Sequence, residues 1–369
     1  MAIGPQKTNL IGMPRGALEA WFAQAGEKPF RARQLMKWMY RRGLDDFDAM
    51  TDLGRNLRGM LASRAAIRVP DVLSAQQSAD GTRKWLLRMD AAQAIETVFI
   101  PEAGRGTLCI SSQVGCALDC AFCATAQQGF NRNLTSAEIV GQVLLARRML
   151  GAAASGPPGV TNVVFMGMGE PLANYRQVLP ALQLMLDELG FGLSRRRVTV
   201  STSGLVPQMR RLADDCNVAL AVSLHAPDDE LRDRLVPINR RHPIAELLEA
   251  CWYYASRHNS RVITFEYVML DGVNDTQRHA QRLARLLRGR PAKVNLIPFN
   301  PFPGTRFQRS PAASIDRFRE VLMMQDIMTI TRRPRGEDID AACGQLAGRV
   351  SDRTRVRLGT RLSRGVAHA

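Results

Sequence analysis

From residue 106 onward, short apolar runs alternate with helix-like stretches, and this alternation limits the possible folds of the 369-residue chain more than any other feature. Thr107–Ser111, Asn162–Met166, Val198–Ser201, Val218–Ser223, Val262–Met269 and Lys293–Pro298 read as strands, with Thr329–Thr331 as a further candidate. Apolar strands separated by helices imply parallel βαβ units whose sheet is covered by helices. Six or seven units suit a complete or partial α/β barrel; a doubly wound sheet is the competitor. Local signals support the reading. Thr135-Ser136-Ala137-Glu138 is a capping box, in which a hydroxyl and a carboxylate satisfy free amides at a helix start. Ile139, Val140, Val143 and Leu144 then share one apolar face. The helix near Tyr175–Leu189 is expected to stop at Gly190, and Gly151–Gly159 reads as a loop between helix and strand.

The first 90 residues differ in texture. Leu18, Trp21 and Phe22 recur at helical spacing, as do Leu35, Met36, Met39 and Tyr40. The second helix carries Arg31, Arg33, Lys37, Arg41 and Arg42 at its other positions. Residues 84–101 turn strand-like, with Asp90–Gln93 as the connecting loop. The expected organisation is a helical unit with a β-extension over 1–90, an α/β unit over 91–348 and a basic tail over 349–369. Net charge is +16, and residues 1–90 contribute 15 basic against 9 acidic side chains. Such an excess points to a polyanionic partner, nucleic acid first and an anionic membrane surface second. No apolar run reaches the length of a membrane span, and the first residues lack a signal-peptide core; a cytoplasmic protein is expected.

Seven cysteines are present, and in a reducing compartment they read as thiols, metal ligands or redox groups. Cys116, Cys120 and Cys123 form C-x3-C-x2-C just after the first strand. Soft thiolates select zinc, copper(I) or iron–sulfur clusters. A 4Fe-4S cluster usually takes four protein thiolates, so three in one loop would leave an iron open to a substrate or cofactor. A second reading adds Cys109 as a fourth ligand of a structural zinc, although the spacing departs from paired zinc knuckles. Packing alone gives no reason to cluster thiols in one loop. Gly167-Met168-Gly169-Glu170-Pro171, Ser201-Thr202-Ser203-Gly204, Ser223-Leu224-His225 and Asn300 all lie at strand ends, the edge that carries the site in α/β barrels.

The cysteine spacing, with Phe122 before the last cysteine, resembles the radical S-adenosylmethionine (SAM) superfamily, which implies a partial (β/α)6 barrel with a 4Fe-4S cluster on Cys116, Cys120 and Cys123. The resemblance implies that the open iron binds the amino and carboxylate groups of SAM, which one electron cleaves to methionine and a 5′-deoxyadenosyl radical. It also places Gly169, Glu170, Ser201, Ser223, Leu224, His225 and Asn300 against that cofactor. Three longer segments narrow the match: Ile110–Cys116, Ala124–Leu134 and Gly336–Leu346. They resemble the dual-specificity RNA methyltransferases, which methylate adenine C2 in 23S rRNA and tRNA. That family implies two SAM molecules per turnover and a cytosolic electron donor. Cys343 would accept a methyl and, after hydrogen abstraction, add it to C2 as a covalent protein–RNA adduct. Glu96 would act as the base removing the C2 proton. Cys109 would release product by attacking the sulfur of Cys343, leaving a Cys109–Cys343 disulfide to be reduced. A monomer is expected. The related adenine C8 methyltransferases, and a non-catalytic iron–sulfur or zinc RNA-binding protein, are the alternatives.

Overall fold

The computed structural model describes residues 7–151, 159–257 and 262–354. Its centre is a ten-stranded sheet. In chain order the strands are β1 (Val72–Gln77), β2 (Arg83–Arg88), β3 (Ala94–Glu102), β4 (Arg105–Cys109), β5 (Asn162–Phe165), β6 (Val198–Thr202), β7 (Ala219–Ser223), β8 (Ile263–Met269), β9 (Ala292–Pro298) and β10 (Met328–Thr331). They lie side by side in that same order. β1 to β4 pair antiparallel and β4 to β10 pair parallel.

That order decides between the two candidate architectures. A doubly wound sheet reverses direction of growth at a switch point; here each parallel strand adds beside its predecessor, as in a barrel. The two edge strands, β1 and β10, do not pair with each other, so the barrel is open. Alternation along each strand separates the faces. Val163, Phe165, Val198, Val200, Leu220, Val222, Ile263, Phe265, Val294 and Leu296 are buried in the core. Their neighbours Val164, Thr199, Ala221, Thr264 and Lys293 line one shared cavity, so the sheet curls around it.

Helices follow the strands as expected. The capping box forms at Ser136–Leu150: Thr135 accepts from Glu138 N, and the Glu138 carboxylate accepts from Thr135 N. The helix at Tyr175 ends at Leu186, not at Gly190. Asp187 leaves it in an extended conformation, its carboxylate accepting from Leu189 N at 2.7 Å and from Arg15 at 2.6 and 3.0 Å. Gly190 serves close approach instead: a Cβ there would sit 2.2 Å from Leu184 O.

The N-terminal unit packs Arg15–Gln24, Phe30–Met36 and Arg55–Arg64 around Leu18, Phe22, Leu35, Met36 and Leu57. The second helix widens into a π-helical turn at Lys37–Arg41, a change apolar spacing does not reveal. Arg41 donates to Glu188 O, so with Arg15 it braces the unit against the barrel, while Arg33, Lys37 and Arg42 stay exposed. β2 and β3 are the two strands expected over residues 84–101; β1 carries no such apolar signal, and all three are continuous with the main sheet. The Asp90 loop is an Asx turn: Asp90 Oδ1 accepts from Ala92 N and Gln93 N. No helix among the described residues is long and apolar enough to cross a membrane. Most of the Arg-rich tail and most of the loop at 151–159 lie outside the described residues.

Candidate active site

Two cavities meet at the C-terminal edge of the parallel strands. The smaller, about 160 Å³, is bounded by Cys116, Cys120 and Cys123 on one side and by the strand ends on the other. The larger, about 520 Å³, fills the concave face of the sheet. Cys343 lies on the wall common to both, as do Met166, Glu266, Ile297, Asn300 and Arg332.

The cysteine loop bends sharply, with Gly115 and Asp119 in left-handed conformations, and runs into a short helix at Ala124–Gln127. Burial pushes its thiols up, Cys120 to about 12 with Cys123 adding to the effect, and Cys116 and Cys123 also upward. Buried thiols of this kind stay neutral until a cationic centre draws off their protons. Among the described residues no three His, Cys, Asp or Glu side chains close on a single ion, and Cys109 opens to the other cavity. Cys109 therefore does not stand with the loop thiols as a fourth sulfur. Three thiols spread along one wall of a cavity fit a multi-iron cluster with one position left to a non-protein ligand.

The glycine-rich turn faces this wall. Gly169 has φ +95°, and a Cβ there would lie 2.5 Å from Gln113 Cβ. The close approach lets Gln113 Oε1 accept from Glu170 N at 2.8 Å. Burial pushes the Glu170 carboxyl up to about 7. Its two oxygens accept from Leu172 N at 3.0 Å and Ser203 N at 2.8 Å, so Glu170 ties its own turn to the next strand end.

Ser201, Ser223, His225 and Asn300 complete the lining, with Gly169 and Glu170. Leu224 does not line the cavity; it is fully buried, and its backbone is fixed between Glu266 O and the Arg232 guanidinium. His225 has φ 60° and accepts from Val268 N at Nδ1, which places its proton on Nε2. Burial pushes it down to about 3, so it is a neutral fixture rather than a proton shuttle. Phe122 packs edge-on against it at 4.5 Å between ring centroids.

Cys343 sits in a segment docked directly on the cysteine loop. Gly344 O accepts from Ala124 N at 2.8 Å, and Leu346 O from Thr125 Oγ1 at 2.6 Å. Asn300 Nδ2 donates to Cys343 O at 3.2 Å. Cys109, on β4, lines the larger cavity together with Cys343. Burial, then the neighbouring Cys343 sulfur, pushes its thiol up to about 12, opposed by Arg332. Both are free thiols here. Glu96 lines neither cavity: its carboxylate is buried, 3.0 Å from Lys84 Nζ and accepting from Ala347 N at 2.8 Å.

Four polar residues of the site were not singled out from sequence. Arg232, fully buried, donates to Ser203 O, Ser223 O, Leu224 O and Asn239 Oδ1. Arg332 has its charged form favoured first by Cys343 and lies 3.7 Å from Glu266. Glu266 is the single charge inside a strand that otherwise reads as apolar, the one signal that could have found it; Lys84, beside Arg83 in Arg83–Arg88, carries no such signal.

Comparison with known proteins agrees with this geometry. Residues 8–67 match the ribosomal RNA large subunit methyltransferase N-terminal domain, and residues 110–284 match the radical SAM superfamily. The chain is 58% identical, over 347 residues, to a dual-specificity RNA methyltransferase RlmN from Alkalilimnicola ehrlichii, covering 94% of this chain and 96% of the relative. A crystal structure of a radical SAM methyltransferase from Sphaerobacter thermophilus superposes with a TM-score of 0.86 at 46% identity, over 92% of this chain and 99% of that one.

Proposed function

The chain belongs to the dual-specificity RNA methyltransferase RlmN family, SAM-dependent radical enzymes specific for adenine C2, and we propose that it methylates 23S rRNA and tRNA in the cytoplasm by carrying the methyl group on Cys343. The observation that carries this reading is the place of Cys343 on the wall between the two cavities. A carrier must meet a methyl donor on one side and an acceptor on the other.

Adenine C2 is an electron-poor ring carbon and no nucleophile, so direct attack on a sulfonium methyl fails. A 4Fe-4S cluster on Cys116, Cys120 and Cys123, with SAM, supplies the methyl group and the one-electron chemistry that such a carbon needs. Gly169, Glu170, Ser201, Ser223, His225 and Asn300 would hold SAM in the smaller cavity, with Leu224, buried behind its wall, fixing Ser223 and His225 on either side. The acceptor base, flipped out of its stack because C2 is otherwise unreachable, enters the larger one. Glu96 takes the C2 proton as general base once it releases Ala347 N. Cys109, as the thiolate, then attacks the sulfur of Cys343; the sulfur–carbon bond breaks toward the base, whose methylene takes up a proton to become the methyl group, and a disulfide is left. Burial keeps the resting Cys109 thiol protonated, which holds this step back until its proton is removed. An external cytosolic electron donor restores both thiols. Residues 1–90, with exposed Arg33, Lys37 and Arg42, dock RNA through phosphate contacts that give affinity more than sequence choice.

The test is anaerobic reconstitution with iron and sulfide, followed by SAM, a reductant and RNA. Mass spectrometry of the nucleosides should find 2-methyladenosine, and the Cys343→Ala variant should make none while still cleaving SAM. Formation of 8-methyladenosine instead, or methylation by Cys343→Ala, would overturn the reading.

A further inference from the structure

The segment that carries Cys343 is bracketed by one buried ion pair. On its leading side, Asp340 O accepts from Lys84 Nζ at 3.2 Å. On its trailing side, Ala347 N donates to Glu96 Oε2 at 2.8 Å. Lys84 Nζ and Glu96 Oε1, 3.0 Å apart, close the bracket from one shoulder to the other. The two side chains are each 9% exposed. They come from adjacent antiparallel strands: Leu86 lies opposite Glu96, and Lys84 lies opposite Val98, so the pair crosses the ladder diagonally. The segment itself has little regular structure, and Asp340 and Gly344, on either side of Cys343, are both left-handed.

Burying two charges is costly, and an apolar pair of similar volume would hold two strands together as well or better. What an apolar pair cannot do is satisfy a carbonyl on one side of the Cys343 segment and an amide on the other. A lysine ammonium has three donors and no acceptor; here it reaches the carboxylate and the Asp340 carbonyl together. Resting on the reading of Cys343 as methyl carrier and Glu96 as base, we propose that Lys84 is a positioning residue that holds Glu96 and both shoulders of the Cys343 segment in one arrangement. Lys84 touches neither cavity, so it acts through those two groups. Its ammonium keeps the Glu96 carboxylate beside the carrier, and its grip on Asp340 O limits how far Cys343 swings between the two cavities.

The experiment compares wild type, Lys84→Met and Lys84→Arg, each anaerobically reconstituted. The first readout is alkylation of each cysteine by iodoacetamide, followed by mass spectrometry without substrate. Lys84→Met should label Cys343 about tenfold faster or more, the loss expected for one charge-assisted hydrogen bond. Cys216 and Cys251, buried in the core, should stay unlabelled. The second readout is the fraction of enzyme held as covalent protein–RNA adduct during turnover. Lys84→Met should accumulate adduct, and Lys84→Arg, which restores a cation with several donors, should move both readouts back toward wild type. Wild-type labelling and adduct clearance in Lys84→Met would overturn the proposal, as would equal labelling of Cys216 and Cys251, which would mean global opening. Wild type forming no adduct would count against the catalytic reading instead, and the labelling result would still decide whether Lys84 holds the segment.

Discussion

Arg232 gives the sharpest test of the proposed SAM edge. Its guanidinium is fully buried and donates to Leu224 O at 3.1 Å, Ser203 O at 2.7 Å, Ser223 O at 3.1 Å and Asn239 Oδ1 at 2.7 Å. Three of those acceptors belong to the two strand ends that face the smaller cavity. Burial pushes the side chain down to about 10, still charged at neutral pH. Methionine at this position matches much of the volume and offers no donor. Each stranded buried acceptor costs about 1–3 kcal/mol. The four do not add fully, since water and small backbone shifts recover part, so breaking the network should cost about 3–5 kcal/mol. A lysine would recover some of this, as a point charge with a different fork. Two measurements check the reasoning on anaerobically reconstituted protein: the urea midpoint of unfolding, and SAM affinity by equilibrium dialysis. Arg232→Met should unfold at clearly lower urea and bind SAM about tenfold more weakly, or about 1.4 kcal/mol, because Ser223 and Leu224 lose their fixed carbonyls. Arg232→Lys should fall between. Unfolding and affinity both matching wild type in Arg232→Met would refute the view that this guanidinium sets the cofactor edge.

Other expectations follow from the same geometry. Cys109→Ala should form the protein–RNA adduct and fail to resolve it, visible as a persistent shifted band on a denaturing gel; normal turnover would remove Cys109 from the mechanism. Reversing charge at Arg33, Lys37 and Arg42, all exposed, should weaken RNA binding and flatten its salt dependence by roughly one unit of slope per lost phosphate contact, with SAM cleavage unchanged; unaltered affinity would move the docking face elsewhere. Asp80 is held at about 2, burial being outweighed by hydrogen bonds from Thr82, Gly336 N and Ser78. A carboxylate with a depressed folded value stabilises fully above its unfolded value of about 4 and loses that contribution as pH falls toward 2. Wild type should therefore melt higher than Asp80→Asn at pH 7, with the gap narrowing by pH 3; a gap independent of pH would count against an ionised Asp80 fastening Gly336 beside the Cys343 segment.

What sequence could show of this molecule divides along the range of the interactions involved. Local rules sufficed where one residue's partner lies a turn away, as in the Thr135–Glu138 capping box. They also sufficed where strands were buried enough to read as apolar runs, so β5 to β10 were legible to within one residue at each end, and β4 to within two. Growth of the sheet in one direction was not legible, because both competing folds present the same alternation and differ only in which strand lies beside which. Gly190 was misread for a related reason: a glycine near a helix end looks like a stop, but its lack of Cβ is used for contact with Leu184 O. Charged residues were the least legible. Arg232 lies within Asp229-Glu230-Leu231-Arg232-Asp233-Arg234, which reads as a solvated helix face, yet it reaches under three backbone carbonyls from elsewhere in the chain. Lys84 finds its second acceptor 256 positions away. The cysteines were the exception because their spacing states the chemistry before any fold exists. The structure sets them in three places: Cys116, Cys120 and Cys123 bound one cavity, Cys109 faces the other, and Cys343 stands between them. For the proposed carrier role, Cys343 must be held loosely enough to reach both sides and firmly enough to find them. The anchors at Ala124, Thr125 and Glu96 bind its backbone and leave the thiol free.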